Sequence, residues 1–308
     1  MLPGPLQGHP ENSLKGIYGI TTVYNEEATL PGVLKSVIGW WAGGVYGKNL
    51  LRWIFVDDGS TDNSLKILRE FAAQYPVIHC IKLQENKGKG WAYHEAAQWI
   101  ISNDASIDEK IIFQMDSDLM GVRAVDIDGL LTSLIQEQHI GLYKGTRVAS
   151  LALVPSPHKE GLRKWARERL GAFTARGRMA ITGQRAYYGS TLVEVTPHIE
   201  EETRFGLEAM LNVEIVERSK KIQKHYNLTE RQRRGLVSLV RWRHITHVPY
   251  KEKMALNNGA DNRARAWIKA VPHYVRMGYD TVAGAVRGTL AIRTKWRAKR
   301  NPPSQNPP

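Results

Sequence analysis

Residues 111–119 read Ile-Ile-Phe-Gln-Met-Asp-Ser-Asp-Leu, an apolar run followed at once by two carboxylates. The run from Ile111 to Phe113 predicts a buried strand. Because alternate residues of a strand share one side of the sheet, we expect Asp116 and Asp118 to point the same way. Two carboxylates at the carboxyl end of a strand suit a hard divalent cation that takes its remaining oxygens from a diphosphate. Taken alone, the stretch fits either a metal site at the edge of an α/β sheet or a solvated turn, and the rest of the chain has to decide between them.

Three more strand-like runs precede this stretch, and patterns typical of helices separate them. The runs span residues 16–24, 50–56 and 77–83. Leu30, Leu34 and Val37 recur at helical spacing after the first run, and a helix is expected from about Trp91 to Ile101 after the third. Strands that alternate with helices predict a doubly wound, mostly parallel sheet with helices on both faces.

A polar or glycine-rich loop follows each of the four strands. The loops are Thr22–Glu26, Asp57–Asp62, Asn86–Gly90 and Asp116–Asp118. The carboxyl ends of parallel strands meet at one edge of a sheet, so these loops should lie together. Acidic side chains there suit the base and ribose of a nucleotide, whereas glycine N–H groups and Lys87 or Lys89 suit its phosphates. Ser60 or Thr61 is expected to cap the helix that follows the second strand.

Composition restricts the partners and the compartment. The 308 residues include 43 Lys and Arg against 30 Asp and Glu, a formal charge of +13. Such an excess favours an anionic partner: nucleic acid, an anionic membrane surface or a phosphorylated substrate. Cys80 is the only cysteine, so no disulfide forms within one chain, which fits a reducing cytosol. We expect no membrane span, because no apolar run reaches 18 residues. We expect no secretory signal either, because residues 1–11 contain three prolines and no apolar core.

The four loops also carry a resemblance to a known family, the family 2 glycosyltransferases of the GT-A fold. The matching segments are Thr22-Val23-Tyr24-Asn25-Glu26-Glu27, Phe55-Val56-Asp57-Asp58-Gly59-Ser60-Thr61-Asp62-Asn63-Ser64, Asn86-Lys87-Gly88-Lys89-Gly90 and Asp116-Ser117-Asp118. Their order and spacing make the match specific. The resemblance implies a GT-A domain, a nucleotide diphosphate sugar as donor, and Mn²⁺ or Mg²⁺ as cofactor.

The resemblance assigns roles at the donor side. The positions it gives to the nucleotide sugar are Thr22, Tyr24, Glu26, Asp57, Gly59, Ser60, Lys87, Asp116 and Ser117. Asp118 matches the main metal ligand, and Asp116 supports either the ribose or the metal. His247 matches a position at which histidine can complete the metal site, and His244 is its rival three residues earlier.

Two further segments resemble the acceptor side of the family. Thr182-Gly183-Gln184-Arg185-Ala186 looks like the Gly-Gln-Arg-Ala stretch of members that use polyprenyl phosphate or other phosphorylated acceptors. A guanidinium binds phosphate bidentately, so Arg185 is a candidate for the acceptor phosphate; the alternative is a surface salt bridge. Glu208 lies in a segment similar to the Gly-x-Glu of an acceptor helix. It is a candidate general base or acceptor-orienting residue, or else a structural partner of Arg185.

The chain is expected to be one glycosyltransferase domain with appendages. We predict a flexible N-terminus over residues 1–14, a GT-A domain over 15–255, a basic helical extension over 256–300 and a disordered tail over 301–308. Within the domain, residues 15–120 form the nucleotide-sugar half and 121–255 the acceptor half. Residues 262–300 pair ten Lys or Arg with an apolar stripe, a pattern typical of helices at membrane interfaces and also of helices packed on their own domain.

These patterns favour a metal-dependent glycosyltransferase with Asp118, Glu208 and Arg185 as catalytic candidates. The expected acceptor is polyprenyl phosphate or another phosphorylated molecule, reached from the cytoplasm by peripheral attachment to the anionic inner face of the membrane. One alternative is a soluble glycosyltransferase that acts on a sugar or a small phosphorylated acid. The other is a basic nucleic-acid-binding protein, which the intact Asp116-Ser117-Asp118 disfavours, so nucleic acid is not an expected partner.

Overall fold

The computed structural model describes residues 14–135, 138–140, 143–145, 147–153, 182–242, 244–247 and 286. The helices are α1 (Leu30–Gly43), α2 (Ser64–Gln74), α3 (Lys89–Asn103), α4 (Ala124–Ile135), α5 (Gly189–Val195), α6 (Leu207–His225) and α7 (Glu230–Gly235). The strands are β1 (Ile17–Val23), β2 (Leu50–Asp57), β3 (Ile78–Lys82), β4 (Ile111–Gln114), β5 (Leu119–Met120), β6 (Gln138–Ile140), β7 (Tyr143–Gly145), β8 (Ala149–Leu153), β9 (Arg185–Tyr188), β10 (Val237–Arg241) and β11 (Thr246–His247).

One seven-stranded sheet organises the described residues, in the order β10-β8-β9-β4-β1-β2-β3. Strands β4, β1, β2 and β3 are parallel neighbours, as the alternation of strands and helices predicts. Strand β9 runs antiparallel to both β4 and β8, while β10 is parallel to β8. The mostly parallel α/β architecture is therefore confirmed, with one antiparallel strand next to the central strand β4.

The two faces of the sheet build two apolar cores because successive strand residues point to opposite sides. Phe113 packs with residues of α1, α2 and α4 on one face. Its neighbour Ile112 packs with residues of α3, α5 and α6 on the other. Helices on both faces, predicted from the sequence, are thus present.

The start of α2 differs from the prediction. Its N-cap residue is Asn63 and makes no side-chain capping bond. Ser60 and Thr61 lie before the first turn and bind elsewhere: Ser60 Oγ accepts the backbone N–H of Asn25 at 3.0 Å. The expected cap is wrong because the helix begins farther along the chain, and Ser60 instead ties the loop after β1 to the loop after β2.

Several predicted segments lie outside the described residues. These are the flexible N-terminus up to residue 13, the basic extension except residue 286, and the C-terminal tail. Within the part of the chain that the structure describes, no helix is long and apolar enough to cross a bilayer.

Candidate active site

The Asp-Ser-Asp turn is attached to the end of β1. Ser117 Oγ donates a hydrogen bond to the carbonyl of Thr22 at 2.9 Å, and Thr29 Oγ1 donates one to the carbonyl of Ser117 at 3.0 Å. Strand β4 ends at Gln114, so the two carboxylates lie in a turn beyond it. The expectation that strand alternation aligns their side chains is therefore wrong; loop-to-loop hydrogen bonds fix the turn instead.

Asp116 is held by groups from two other elements. Its Oδ1 accepts from Lys89 Nζ at 2.6 Å, and its Oδ2 accepts from Gln184 Nε2 at 2.5 Å. A Cβ on Gly183 would lie only 2.0 Å from Asp116 Oδ1. The carboxylate thus packs directly on the Gly183 backbone, which explains why glycine precedes Gln184.

Glu208 contacts the same lysine from α6. It stands in the first turn of α6, is 5% exposed, and its Oε1 accepts from Lys89 Nζ at 2.5 Å. Among the described residues, none forms a hydrogen bond with its buried Oε2. Burial by itself lowers the pKa of Lys89, but the Asp116 and Glu208 carboxylates outweigh burial and raise that pKa above its usual range. Lys89 is therefore a firmly charged bridge between the Asp-Ser-Asp turn and α6.

Arg185 is fully buried in β9. Its guanidinium donates to the carbonyl of Thr182 through Nε at 3.1 Å and through Nη2 as well. Nη1 donates to the carbonyl of Glu208 at 3.4 Å and to Asn212 Oδ1 at 3.2 Å. The surface salt bridge considered as its alternative role is excluded by this burial. The guanidinium joins β9 to the first turns of α6, and any contact with an acceptor phosphate stays a prediction.

The two aspartates at the end of β2 have different surroundings. Asp57 is fully buried; its Oδ2 accepts the N–H of Ser60 at 3.3 Å, and its Oδ1 has no hydrogen-bond partner in the part of the chain that the structure describes. Asp58 accepts the N–H groups of Lys87 and Gly88, both at 2.8 Å. Burial raises the pKa of Asp58 to about 6 even though both hydrogen bonds lower it. Asp58 thus secures the glycine-rich loop, while Asp57 retains a free acceptor atom.

The remaining donor-side candidates line the same loops. Tyr24 is 45% exposed, and Glu26 is buried where its Oε2 accepts from Thr29 Oγ1 at 2.9 Å. Gly59 has φ of +69°, and a Cβ there would come within 2.6 Å of the Glu85 backbone. Only glycine fits this close approach of two loops. Lys87 points away from Asp116 and pairs with the exposed Glu201 at 2.6 Å.

The two histidine candidates for the metal site differ in position. His244 Nε2 lies 2.9 Å from Asp126 Oδ2, so that histidine already has a carboxylate partner. The backbone of His247 pairs in β11 with Leu119, the residue after Asp118. Among the described side chains, no group of three or more His, Cys, Asp or Glu is arranged to hold a metal ion.

Sequence reasoning left two functional neighbours of Asp116 unassigned. Lys89 was only an alternative to Lys87, because both lysines belong to one glycine-rich loop. Gln184 lies inside the Gly-Gln-Arg-Ala stretch, but only Arg185 carried an obvious charge signal. The Gly-Gln-Arg-Ala stretch itself could have indicated Gln184, because a glycine just before a side-chain donor lets that donor approach a carboxylate closely.

Comparisons with known proteins agree with this geometry. Residues 20–136 match the family described as glycosyl transferase family 2. A dolichyl-phosphate beta-glucosyltransferase of Trichomonas vaginalis is 32% identical over 99 residues, which span 30% of this chain and 30% of that relative.

Solved structures match over a larger share of the chain. Glucosyl-3-phosphoglycerate synthase of Mycobacterium tuberculosis, in complex with Mn²⁺, UDP-glucose and phosphoglyceric acid, has a TM-score of 0.56 and 15% identity, covering 89% of this chain and 80% of that one. The same enzyme with Mn²⁺, UDP-glucose and glycerol 3-phosphate has a TM-score of 0.51 and 17% identity, covering 81% of this chain and 80% of that one.

The fold is therefore that of the GT-A glycosyltransferases. More narrowly, residues 20–136 are similar to glycosyl transferase family 2. The match covers the loops after β1 to β4, in which the donor-side candidates lie.

Proposed function

We propose that the chain is a glycosyltransferase that moves a sugar from a nucleotide diphosphate sugar to a phosphorylated acceptor. The observation that carries the proposal is the position of Lys89. Its Nζ lies 2.6 Å from Asp116 and 2.5 Å from Glu208, which joins the donor-side turn to the acceptor-side helix at one edge of the sheet. A glycosyl transfer needs both substrates at one point, and ligands of open α/β sheets bind at this edge.

On the donor side, Asp57 is the candidate for the base. Its Oδ1 is a buried acceptor without a partner, and a buried acceptor is expensive to leave unsatisfied. An N–H of the base would satisfy it after a small movement of the loop. UDP-glucose is the first donor to test, since it is bound in the similar solved structures.

The residues present fit a hard divalent cation at the Asp-Ser-Asp turn. We keep Asp118 in the direct ligand role that the resemblance gives it, and Asp116, whose two oxygens accept hydrogen bonds, in the supporting role. The backbone of His247 lies opposite Leu119, which keeps that histidine a candidate ligand. Carboxylate oxygens suit Mn²⁺ and Mg²⁺, and such an ion would offset the charge that grows on the departing diphosphate.

On the acceptor side, Glu208 offers its unpartnered Oε2. A hydroxyl acceptor would donate to that atom, and Glu208 would serve as its general base. A phosphate acceptor is already ionised, so Glu208 would then orient the sugar or the acceptor. The relative from Trichomonas vaginalis supports a polyprenyl phosphate acceptor, whereas the similar solved structures support a small phosphorylated acid.

A transfer assay with the full chain tests the proposal. Labelled UDP-glucose and Mn²⁺ are supplied with either dolichyl phosphate in vesicles or 3-phosphoglycerate in solution, and labelled product is counted. Transfer to the lipid supports the polyprenyl acceptor, and transfer to the acid without lipid supports the soluble alternative. Salt-sensitive RNA binding, with no stabilisation by any nucleotide sugar in a thermal-shift screen, would refute the enzyme assignment.

We also propose that the basic extension holds the enzyme at an anionic membrane surface. Each cation near such a surface contributes up to about 1 kcal/mol. A chain truncated after Asp261 should therefore lose flotation with anionic vesicles, and flotation of the full chain should fall as salt rises. Equal flotation of the full and truncated chains would show that the extension does not attach the enzyme to the membrane.

A further inference from the structure

Arg204 has a backbone conformation that is unfavourable for a side chain-bearing residue. It lies in the short 3₁₀ segment Glu201–Gly206 with φ of 40° and ψ of −116°. For an L-residue other than glycine this region is sterically disfavoured. Such strain persists only where the surrounding structure imposes it, and it is concentrated at functional sites.

The surrounding structure that imposes it is the glycine-rich loop. A Cβ on Gly90 would lie 2.9 Å from the backbone N of Arg204. A Cβ on Gly88 would lie 2.8 Å from Arg204 Cγ. The side-chain stem of Arg204 thus lies on the backbone of the loop that carries Lys87 and Lys89.

The guanidinium of Arg204 makes no hydrogen bond or ion pair with the described residues. Arg204 is only partly buried, and no described residue accepts a hydrogen bond from it or forms an ion pair with it. Its charge is felt by Asp58, whose pKa burial raises and Arg204 lowers. Both oxygens of Asp58 already accept backbone N–H groups of the loop. Arg204 therefore presents a positive charge at the loop, and its guanidinium donors have no acceptor within the described ranges.

Other basic side chains near the loop differ from Arg204 in that their donors are already bound. The donors of Arg185 are all directed to the fold, and Lys89 bridges Asp116 and Glu208. Lys87 is paired with Glu201. A partly exposed guanidinium with free donors suits phosphoryl oxygens, which it binds in a fork of two hydrogen bonds.

We infer that Arg204 binds a phosphoryl group of the substrates, either the diphosphate of the donor or the phosphate of the acceptor. This inference rests on the proposed function for the source of that group. The strained backbone is then the cost of presenting the guanidinium at the glycine-rich loop.

The test separates the guanidinium from its backbone. Arg204→Gly removes the side chain and relieves the strain, so the variant should melt at the same temperature as wild type or a few degrees higher. Asn227→Gly is the matched control, because Asn227 also has positive φ, at 51°, in the exposed turn after α6. Arg204→Gln keeps the Cβ and Cγ that contact Gly88 and replaces the charged guanidinium by a shorter, neutral amide.

Calorimetry with inorganic pyrophosphate is the first readout, since it needs no turnover. Both Arg204 variants should weaken binding about tenfold to a hundredfold, the loss expected for a charged hydrogen bond, while Asn227→Gly binds like wild type. Unchanged affinity in both variants, or no binding by wild type, overturns the inference. Weakened binding without detectable transfer by wild type would leave the inference standing and count against the proposed function alone.

Two further titrations identify the source of the phosphoryl group. A weaker affinity for UDP with Mn²⁺ assigns Arg204 to the donor diphosphate. An unchanged UDP affinity with a raised KM for the acceptor assigns it to the acceptor phosphate. If neither value changes, Arg204 has no role in substrate binding.

Discussion

Replacing Lys89 by methionine should destabilise the fold far more than removing an ordinary lysine. The substitution keeps the apolar stem and deletes the ammonium that lies 2.6 Å from Asp116 and 2.5 Å from Glu208. The side chain of Glu208 is only 6% exposed, and those of Lys89 and Asp116 are 17% exposed. Deleting one partner of a buried ion pair costs about 3–5 kcal/mol because a buried charge is left uncompensated. Because this site is partly open to water, we expect about 3 kcal/mol at pH 7, near the low end of that range.

The pH dependence of this loss gives a second check. In the wild type, the pKa of Lys89 is raised in the folded state. Its contribution is therefore fully present at pH 7 and is lost only as pH rises through the folded pKa. In Lys89→Met, Asp116 and Glu208 face each other without a cation, which favours their protonated forms. The folded variant then binds more protons than the unfolded chain, so its deficit should shrink as pH falls from 7 to 5.

Urea unfolding of both proteins at the two pH values measures the deficit by linear extrapolation. Lys15→Met is the matched control, because Lys15 pairs with Glu109 at 2.5 Å but both side chains are about half exposed. Exposed pairs contribute little, so the control should change the free energy of unfolding only slightly. The reasoning is refuted if Lys89→Met costs no more than Lys15→Met, or if its deficit does not depend on pH.

Three further substitutions test the donor side. Asp118→Ala should abolish transfer while the melting temperature stays near that of wild type; normal turnover at saturating Mn²⁺ would contradict its role as a ligand. Asp57→Ala should weaken UDP binding by about 1.5–3 kcal/mol in calorimetry, the loss of a charged hydrogen bond, and unchanged affinity would rule the contact out. Gly183→Ala should displace Asp116 and lower kcat/KM, since the new Cβ meets the carboxylate at 2.0 Å. Gly129→Ala, in an open position of α4, should leave kcat/KM unchanged.

The sequence by itself determined the sheet and the edge at which the site lies. Apolar runs such as Ile111–Phe113 predict strands because a strand that is buried on both faces of a sheet appears in the sequence as a continuous run of apolar residues. The order of the four polar loops then follows from the chain, since parallel strands bring their carboxyl ends to one edge. Asp57, Asp116 and Asp118 could be placed there before any coordinates were known.

Only the tertiary structure decided which basic side chains lie at that edge of the sheet. Lys87 and Lys89 carry the same local signal, yet Gly88, with φ of +91°, and the start of α3 direct only Lys89 to Asp116. In the sequence, Arg185 is a candidate for binding the acceptor phosphate, but its position in β9, between β4 and β8, buries its side chain. The side chain of Arg204 is located by packing on a loop more than a hundred residues away in sequence. The positions of these side chains depend on contacts between segments that are distant in sequence. Residue type and spacing along the chain do not specify such contacts.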